Sequence, residues 1–262
     1  MTKITSRQAT FRQRLRDKAH LLGTFVKIPS PHATEILGSV GFDFVIVDAE
    51  HAPLDRVTID IIALAARASD VPALVRVREA NASSILSALD CGATGVLVPH
   101  VNSPARAREI VAACRYSGGA RGFSNTTRAG SYGHVGIADH TSQQDAQVTC
   151  VAMIEDLAAL DHLDEIASVP GVDAFFIGRG DLSVAMGLES TTNRRVNEAV
   201  ARICAAANTA NVPIMVLPSN KADAVAMKTL GATAFVLLND QSLLRRAAQD
   251  AVNEYANLSA AS

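Results

Sequence analysis

Acidic, basic and imidazole side chains in this chain stand at the ends of apolar runs, where a fold can bring them to one place. VIVDAEHAPLD (45–55) passes from a strand-like run into Asp48, Glu50, His51 and Pro53. VTCVAMIE (148–155) ends in Glu155 and is followed by Asp156; DAFFIG (173–178) leads into Arg179, Gly180 and Asp181. Two carboxylates such as Glu155 and Asp181, with water, make a hard oxygen site suited to Mg²⁺ or Mn²⁺. The same residues also serve as caps for the helices that follow, and position alone leaves the two readings level. Arg76, the one charge in ALVRV (73–77), is costly to bury unless an anion meets it. That anion is either a structural partner such as Glu50 or Glu155, or a developing enolate. His51 lies in a turn made rigid by Pro53 and is a natural proton shuttle when a nearby acid orients the ring. GRGDLSVAMG, beginning at Gly178, opens a short helix whose first N–H groups can hold an anion.

The elements that must position these residues are legible as alternation. Eight short apolar runs are expected as strands: 23–28, 42–48, 73–77, 95–100, 148–155, 173–178, 213–218 and 232–238. Amphipathic helical patterns separate them, and several end at Gly or Asn just before the next strand, as in GFDF, GATG and NVPIM. Continuous apolar strands alternating with helices indicate a parallel sheet covered on both faces. Eight such units in one chain predict a (β/α)₈ TIM barrel, with a core of about 22–240 inside a single domain of 1–262. No glycine-rich dinucleotide loop follows the first strand, which disfavours an open doubly wound sheet. In a barrel, chemistry gathers at the C-terminal strand ends. That rule selects Lys27, Asp48, Glu50, His51, Arg76, Arg78, His100, Glu155, Asp156, Arg179, Asp181, Ser219, Asn239 and Asp240. A short amphipathic lead-in helix with Phe11, Leu15 and Ala19 on one stripe is expected before the barrel. The Gly- and Ser-rich segment from Arg115 to Gln147 is expected as a long loop that can fold over the mouth.

Composition narrows the partners. Of 262 residues, 48% are hydrophobic and 19% charged, and the net charge is −2, which offers no attraction for nucleic acid or an anionic membrane. No apolar run is long enough to span a bilayer, and the basic start lacks the apolar core of a signal peptide. Cys91, Cys114, Cys150 and Cys204 fit neither a zinc site nor a disulfide framework, so reduced thiols and a cytoplasmic setting are expected.

The motifs GFDFVIVDAEHAP, VRV, SALDCGATGVLVPHV, RYSGGARG, MIE, GVDAFFIGRGDLSVAMG and GATAFVLL run in order over roughly residues 22–240. In this the chain resembles the HpcH/HpaI aldolase family, the class II pyruvate aldolases of the phosphoenolpyruvate/pyruvate barrel superfamily. The resemblance implies reversible, metal-dependent cleavage of 4-hydroxy-2-oxo acids to pyruvate and an aldehyde through a pyruvate enolate. Expected substrates are 4-hydroxy-2-oxoheptanedioate or 2-dehydro-3-deoxy sugar acids. It implies Glu155 and Asp181 as ligands of Mg²⁺, Mn²⁺ or Co²⁺, Arg76 as enolate stabiliser, and His51 as base acting through a water molecule. Asp90 would raise the basicity of His51, with Asp48 assisting, while the backbone amides of Gly180 and Asp181 would hold the pyruvate carboxylate. It also implies a homo-oligomer, most often a hexamer, with QSLLRRAAQDAVNEYANL packing on a neighbouring subunit.

The chain departs from that pattern at four positions: Ala49 where Gly is common, Leu54 where Asn is common, Met153 in place of a pyruvate-contacting Gln, and Arg179 in place of Pro. Arg179 is expected either to bind a second acidic group of the substrate or to point into solvent. Related enolate reactions are the nearest alternative: citrate-synthase-like or acyl-CoA lyase chemistry, or oxaloacetate decarboxylation. A Schiff-base aldolase using Lys27 and a non-catalytic acid-binding barrel are the others.

Overall fold

A computed structural model of the chain describes residues 6–256. The first five residues of the lead-in and residues 257–258 of the expected C-terminal helix lie outside the described residues. The strands are β1 (Leu21–Val26), β2 (Phe44–Asp48), β3 (Ala73–Arg76), β4 (Gly95–Val98), β5 (Thr149–Ile154), β6 (Ala174–Ile177), β7 (Ile214–Val216) and β8 (Ala232–Asn239). Each pairs in parallel with its sequence neighbours, and β8 pairs with β1, closing the barrel. The expected (β/α)₈ barrel is therefore the fold. Around it run α1 (Arg7–Arg16), α2 (Pro31–Ser39), α3 (Arg56–Ala68), α4 (Ala82–Asp90), α5 (Pro104–Cys114) and α6 (Ile137–Gln147). Then come α7 (Leu163–Ala167), α8 (Arg179–Ala185), α9 (Arg194–Thr209), α10 (Lys221–Thr229) and α11 (Asp240–Tyr255).

Strand side chains alternate between two faces, and that alternation fixes the site. Phe44 and Ile46 of β2, Leu74 of β3, Val151 and Met153 of β5, and Phe25 of β1 fill the barrel interior. Two residues after the last interior side chain, the same face presents Asp48, Arg76, Glu155 and Lys27. These charged groups therefore form the topmost inward layer, at the C-terminal mouth. The outward residues, among them Val45, Val47, Val75 and Phe175, pack against the helices. At the other end α1 seats Phe11 on Phe44, with ring centroids 5.4 Å apart, and plugs the barrel floor together with buried Leu15. Ala19 falls beyond the end of α1 but still packs on that plug.

The segment 115–147 departs from expectation. It leaves the end of α5, which runs antiparallel to β4 and delivers the chain to the floor side, away from the mouth. There it forms a short 3₁₀ turn at Arg128–Gly133 and then helix α6, and Arg128 pairs with Asp60 of α3 at 2.6 Å. The segment braces the outer helical layer and does not cover its own mouth.

Candidate active site

The centre of the mouth is an ion-pair network built across adjacent strands. Asp48 and Arg76 are register partners on β2 and β3. The guanidinium takes both carboxylate oxygens, Nε to Oδ1 at 2.9 Å and Nη2 to Oδ2 at 2.7 Å. Both residues are buried. The backbone N–H groups of Glu50 and His51 also donate to Asp48 Oδ1, at 3.2 and 3.1 Å. Arg76, with the other contacts it makes, holds Asp48 below the usual carboxylate range, against the upward push of burial. Arg76 further stacks over the Phe25 ring, 4.9 Å from its centroid, and lies 3.4 Å from Glu50. Glu50 in turn sits 3.6 Å from His51 Nε2. The structural-partner reading of Arg76 thus holds for Asp48 and Glu50, and the guanidinium still lines the open cavity.

Glu155 and Asp181 meet on the opposite side. Glu155 is 3% exposed and Asp181 lies within hydrogen-bonding reach. Burial, and the like charge of Asp181, push Glu155 up to about 7. Gly178 makes the approach possible: a Cβ there would lie 2.5 Å from Glu155 Cβ. Helix α8 begins at that glycine with no side-chain cap, and the space above Gly180 is open. The pair is a good fit for a hard divalent cation, because two close carboxylates with no Lys or Arg salt bridge carry charge that the protein leaves uncompensated. Among the described residues no cluster of three or more His, Cys, Asp or Glu converges; a cation at this pair would take two protein ligands and fill its other positions with substrate or water.

His100, selected at the end of the fourth strand but given no role there, belongs here. Its backbone adopts φ 56°, a left-handed conformation unusual for a non-glycine residue. That turn directs its N–H to Glu155 Oε1 at 2.9 Å. Its ring Nδ1 meets Asp156 at 3.0 Å, and Asn102 holds the other oxygen of Asp156 at 3.1 Å. Burial in the sequence sense is ordinary for VLVPH; the strained φ that gives His100 its role is a property of the folded turn.

Two expected residues, Arg179 and Asp90, sit differently, while Met153 stays at the cavity. Arg179 neither reaches solvent nor stands free. It is 7% exposed and makes a two-pronged contact with Asp223 of α10, at 2.9 and 2.6 Å, plus a bond to the Leu217 carbonyl at 2.7 Å. Met153 is buried in the barrel interior and lines the cavity floor. Asp90 does not join His51. It ends α4, which runs about 13 Å away from the mouth, and its carboxylate is 3.9 Å from Arg121. Burial raises Asp90 above its ordinary value.

A cavity of about 320 Å³ opens between these groups, lined by Lys27, Asp48, Arg76, Met153, Gly180 and Asp181 among others. A larger hollow of about 620 Å³ lies at the floor side, lined by Arg16, Asp17, Gly171, Asp173 and Asn211 among others, and Asp173 there is taken by Arg12 and Arg115.

Residues 21–247 match the profile of the HpcH/HpaI aldolase/citrate lyase family. The chain is 33% identical over 241 residues to a 5-keto-4-deoxy-D-glucarate aldolase of Shigella dysenteriae serotype 1 (strain Sd197), covering 91% of this chain and 93% of that protein. Its fold matches the crystal structure of an HpcH/HpaI aldolase/citrate lyase family protein from Burkholderia cenocepacia J2315 with a TM-score of 0.88 at 30% identity, over 94% of this chain and 98% of that one. The crystal structure of citrate synthase SbnG matches with a TM-score of 0.86 at 27% identity, over 95% and 98% of the two chains.

Proposed function

The chain belongs to the HpcH/HpaI aldolase/citrate lyase family, and on that premise we propose that it is a divalent-metal-dependent aldolase. Its substrate would be a 4-hydroxy-2-oxo acid of the deoxy sugar acid type, split reversibly into pyruvate and an aldehyde. The observation that carries this reading is the buried Glu155 beside Asp181, with Asp181 and Arg76 lining one cavity. A cation bound by Glu155 and Asp181, Mg²⁺, Mn²⁺ or Co²⁺, would polarise the keto group as a Lewis acid.

The chain's own residues account for the rest. His51, 58% exposed at its side chain, takes the proton from the C4 hydroxyl and can pass it to water. The C3–C4 bond then breaks, its electron pair enters the pyruvate half as an enolate, and C4 leaves as the aldehyde carbonyl. Arg76 meets the charge that grows on the keto oxygen. Asp48 fixes the guanidinium in that orientation, so little reorganisation is needed as charge develops. The N–H groups of Gly180 and Asp181 hold the substrate carboxylate at the uncapped start of α8. The proton taken up by His51, or one from the water it exchanges with, is then delivered to C3 and pyruvate is released. Asp90 serves His51 in this scheme only from another copy of the chain, since within one chain it faces Arg121.

The test is a panel of aldehydes incubated with pyruvate, with EDTA and with each of the three metals. Activity should depend on metal, and Glu155→Ala, Asp181→Ala and Arg76→Ala should each lose about 10²–10³-fold or more in kcat. Metal-independent activity, with inactivation by borohydride in the presence of pyruvate, would move the reaction to a Schiff base. The likeness to citrate synthase SbnG favours one second reading, condensation of oxaloacetate with acetyl-CoA; the same protein incubated with those two compounds separates the cases.

No helix among the described residues is long and apolar enough to cross a membrane, and all four cysteines are free and buried. Both observations support a cytoplasmic enzyme acting on small molecules. A homo-oligomer is supported by the uncovered apolar side of α11, where Leu244, Val252 and Tyr255 are each more than 60% exposed; the hexamer among such assemblies follows from the family resemblance alone.

A further inference from the structure

A second arginine follows Arg76 by two residues at the end of β3, and it does not line the mouth cavity. Arg78 turns instead to the loop between β2 and α3. Its Nε donates to the Ala49 carbonyl at 2.9 Å and its Nη2 to the Leu54 carbonyl at 2.5 Å. Ala49 and Leu54 are the buried ends of that loop, and Glu50 and His51 stand between them. One guanidinium thus closes the loop across its base, because its rigid fork reaches two carbonyls at once. His51 depends on that closure. Its ring is 58% exposed, and Glu50 at 3.6 Å is beyond hydrogen-bonding distance. Packing around the ring does little to fix it, so its position is set by the backbone that carries it. Asp48 holds that backbone by the N–H groups of Glu50 and His51, and the Ala49 N–H reaches the Arg76 carbonyl at 3.0 Å. Arg78 supplies the remaining hold, on the carbonyls at either end.

We propose that Arg78 is a positioning residue for the base: it clamps the loop of residues 49–54 so that His51 keeps one place at the mouth. The proposal rests on the aldolase reading, in which His51 moves the protons. Arg76 and Arg78 divide their work by chemistry. Arg76 meets carboxylates and the charge that grows in the reaction, whereas Arg78 meets neutral carbonyls whose charge stays constant throughout. A loop ordered in advance spares the reaction the entropy of ordering it. That gain accounts for an exposed arginine whose long stem is held in place by two main-chain bonds to a single loop. A lysine would supply the charge but not the two diverging bonds.

The experiment compares the wild type, Arg78→Met and Arg78→Lys in two reactions of the metal-loaded protein and in one measurement without metal. Exchange of pyruvate methyl protons with deuterated water, followed by NMR, needs a base to take a proton from carbon. Decarboxylation of oxaloacetate breaks the bond to the departing CO₂ and leaves its electron pair in the same enolate, which then takes a proton from water. It has no proton to remove, so it reads the carboxylate pair and Arg76 without the base. Both variants should lower the exchange rate about tenfold more than the decarboxylation rate, with the KM for pyruvate little changed. Arg78→Lys keeps the charge and loses the fork, so it should resemble Arg78→Met. In metal-free protein the Glu50 and His51 amides should exchange with solvent about tenfold faster in both variants. Equal loss in the two reactions would mean a general disturbance of Arg76, and unaltered amide exchange would mean that the loop needs no clamp; either overturns the proposal, as does a lysine that serves as well as the arginine. Variants that match a wild type active in both reactions sink the role of Arg78 alone. A wild type that neither exchanges nor decarboxylates sinks the aldolase reading and this proposal with it.

Discussion

Glu155 carries a conflict that a proton or a bound cation removes. Its carboxylate is buried beside Asp181, and the two like charges repel in a setting poorly screened by water. A buried acid pushed up to about 7 binds its proton more tightly folded than unfolded. Metal-free protein should therefore lose stability as pH rises from about 4.5 through about 7, the interval in which the unfolded chain has released that proton and the folded one still holds it. Glu155→Gln keeps the acceptor for the His100 N–H and removes the charge. Above pH 7 the variant should melt higher than metal-free wild type, by on the order of 5 °C. Saturating Mn²⁺ should raise the wild type by roughly 5–10 °C and the variant scarcely at all. Calorimetry across pH 5–8 measures both; a variant that melts lower without metal, or gains as much with it, would remove the cation from this pair. Much of this site is readable before folding, because Asp48, Arg76 and Glu155 each sit two residues beyond an inward apolar side chain. What sequence leaves dark is who meets whom. Lys27 and Asp48 are 21 positions apart and Glu155 and His100 are 55 apart, and only the closed barrel makes each a pair.

At the scale of elements, the strands were legible because both of their faces are buried, and β7 was overextended because only Ile214–Val216 meets its neighbours. The Arg115–Gln147 segment was misplaced for a different reason: composition signals irregular backbone but not which end of the barrel it serves. That is set by the direction of α5. Arg179 shows the same limit. Its identity suggests substrate or solvent, yet α8 points it at α10, where Asp223 waits 44 residues later. The contact ties the start of α8 to α10. Arg179 pulls Asp223 down to about 2 from the ordinary 3.8. A depressed carboxylate stabilises the fold above its unfolded value, and that contribution should fade as pH falls from about 4 to about 2. Asp223→Asn leaves a nearly buried guanidinium without its counter-charge and should cost about 3 kcal/mol at neutral pH. Urea denaturation would show this, together with a flatter stability profile between pH 4 and 2. A loss below about 0.5 kcal/mol would mean that the pair behaves as an exposed one.

At the scale of the whole molecule, the barrel closes on itself but α11 stays only half attached. Its first residue is locked, since Asp240 receives the N–H groups of Lys27 and Ile28, and Leu243 packs partly against the core. Beyond that point the helix turns apolar side chains outward, with Leu244 and Val252 at 63% and Tyr255 at 62% exposure. Isolated exposed apolar residues are ordinary, but three on one otherwise polar helix mark a face that another surface can cover. A second copy of the chain is the occupant that the family resemblance implies, and symmetric assembly is the usual outcome for soluble enzymes. Because α11 is anchored at Asp240, charges placed on its outer side should disturb assembly without opening the barrel. Leu244→Asp combined with Tyr255→Ser should lower the sedimenting mass from that of an oligomer toward that of one chain, while the far-ultraviolet dichroism stays that of the parent. If Asp90 serves His51 across subunits, the dissociated variant should also lose aldol turnover as it dissociates, and regain it at concentrations high enough to reassociate. A wild type that sediments as a monomer, or a variant with unchanged mass, would show that this face has another use.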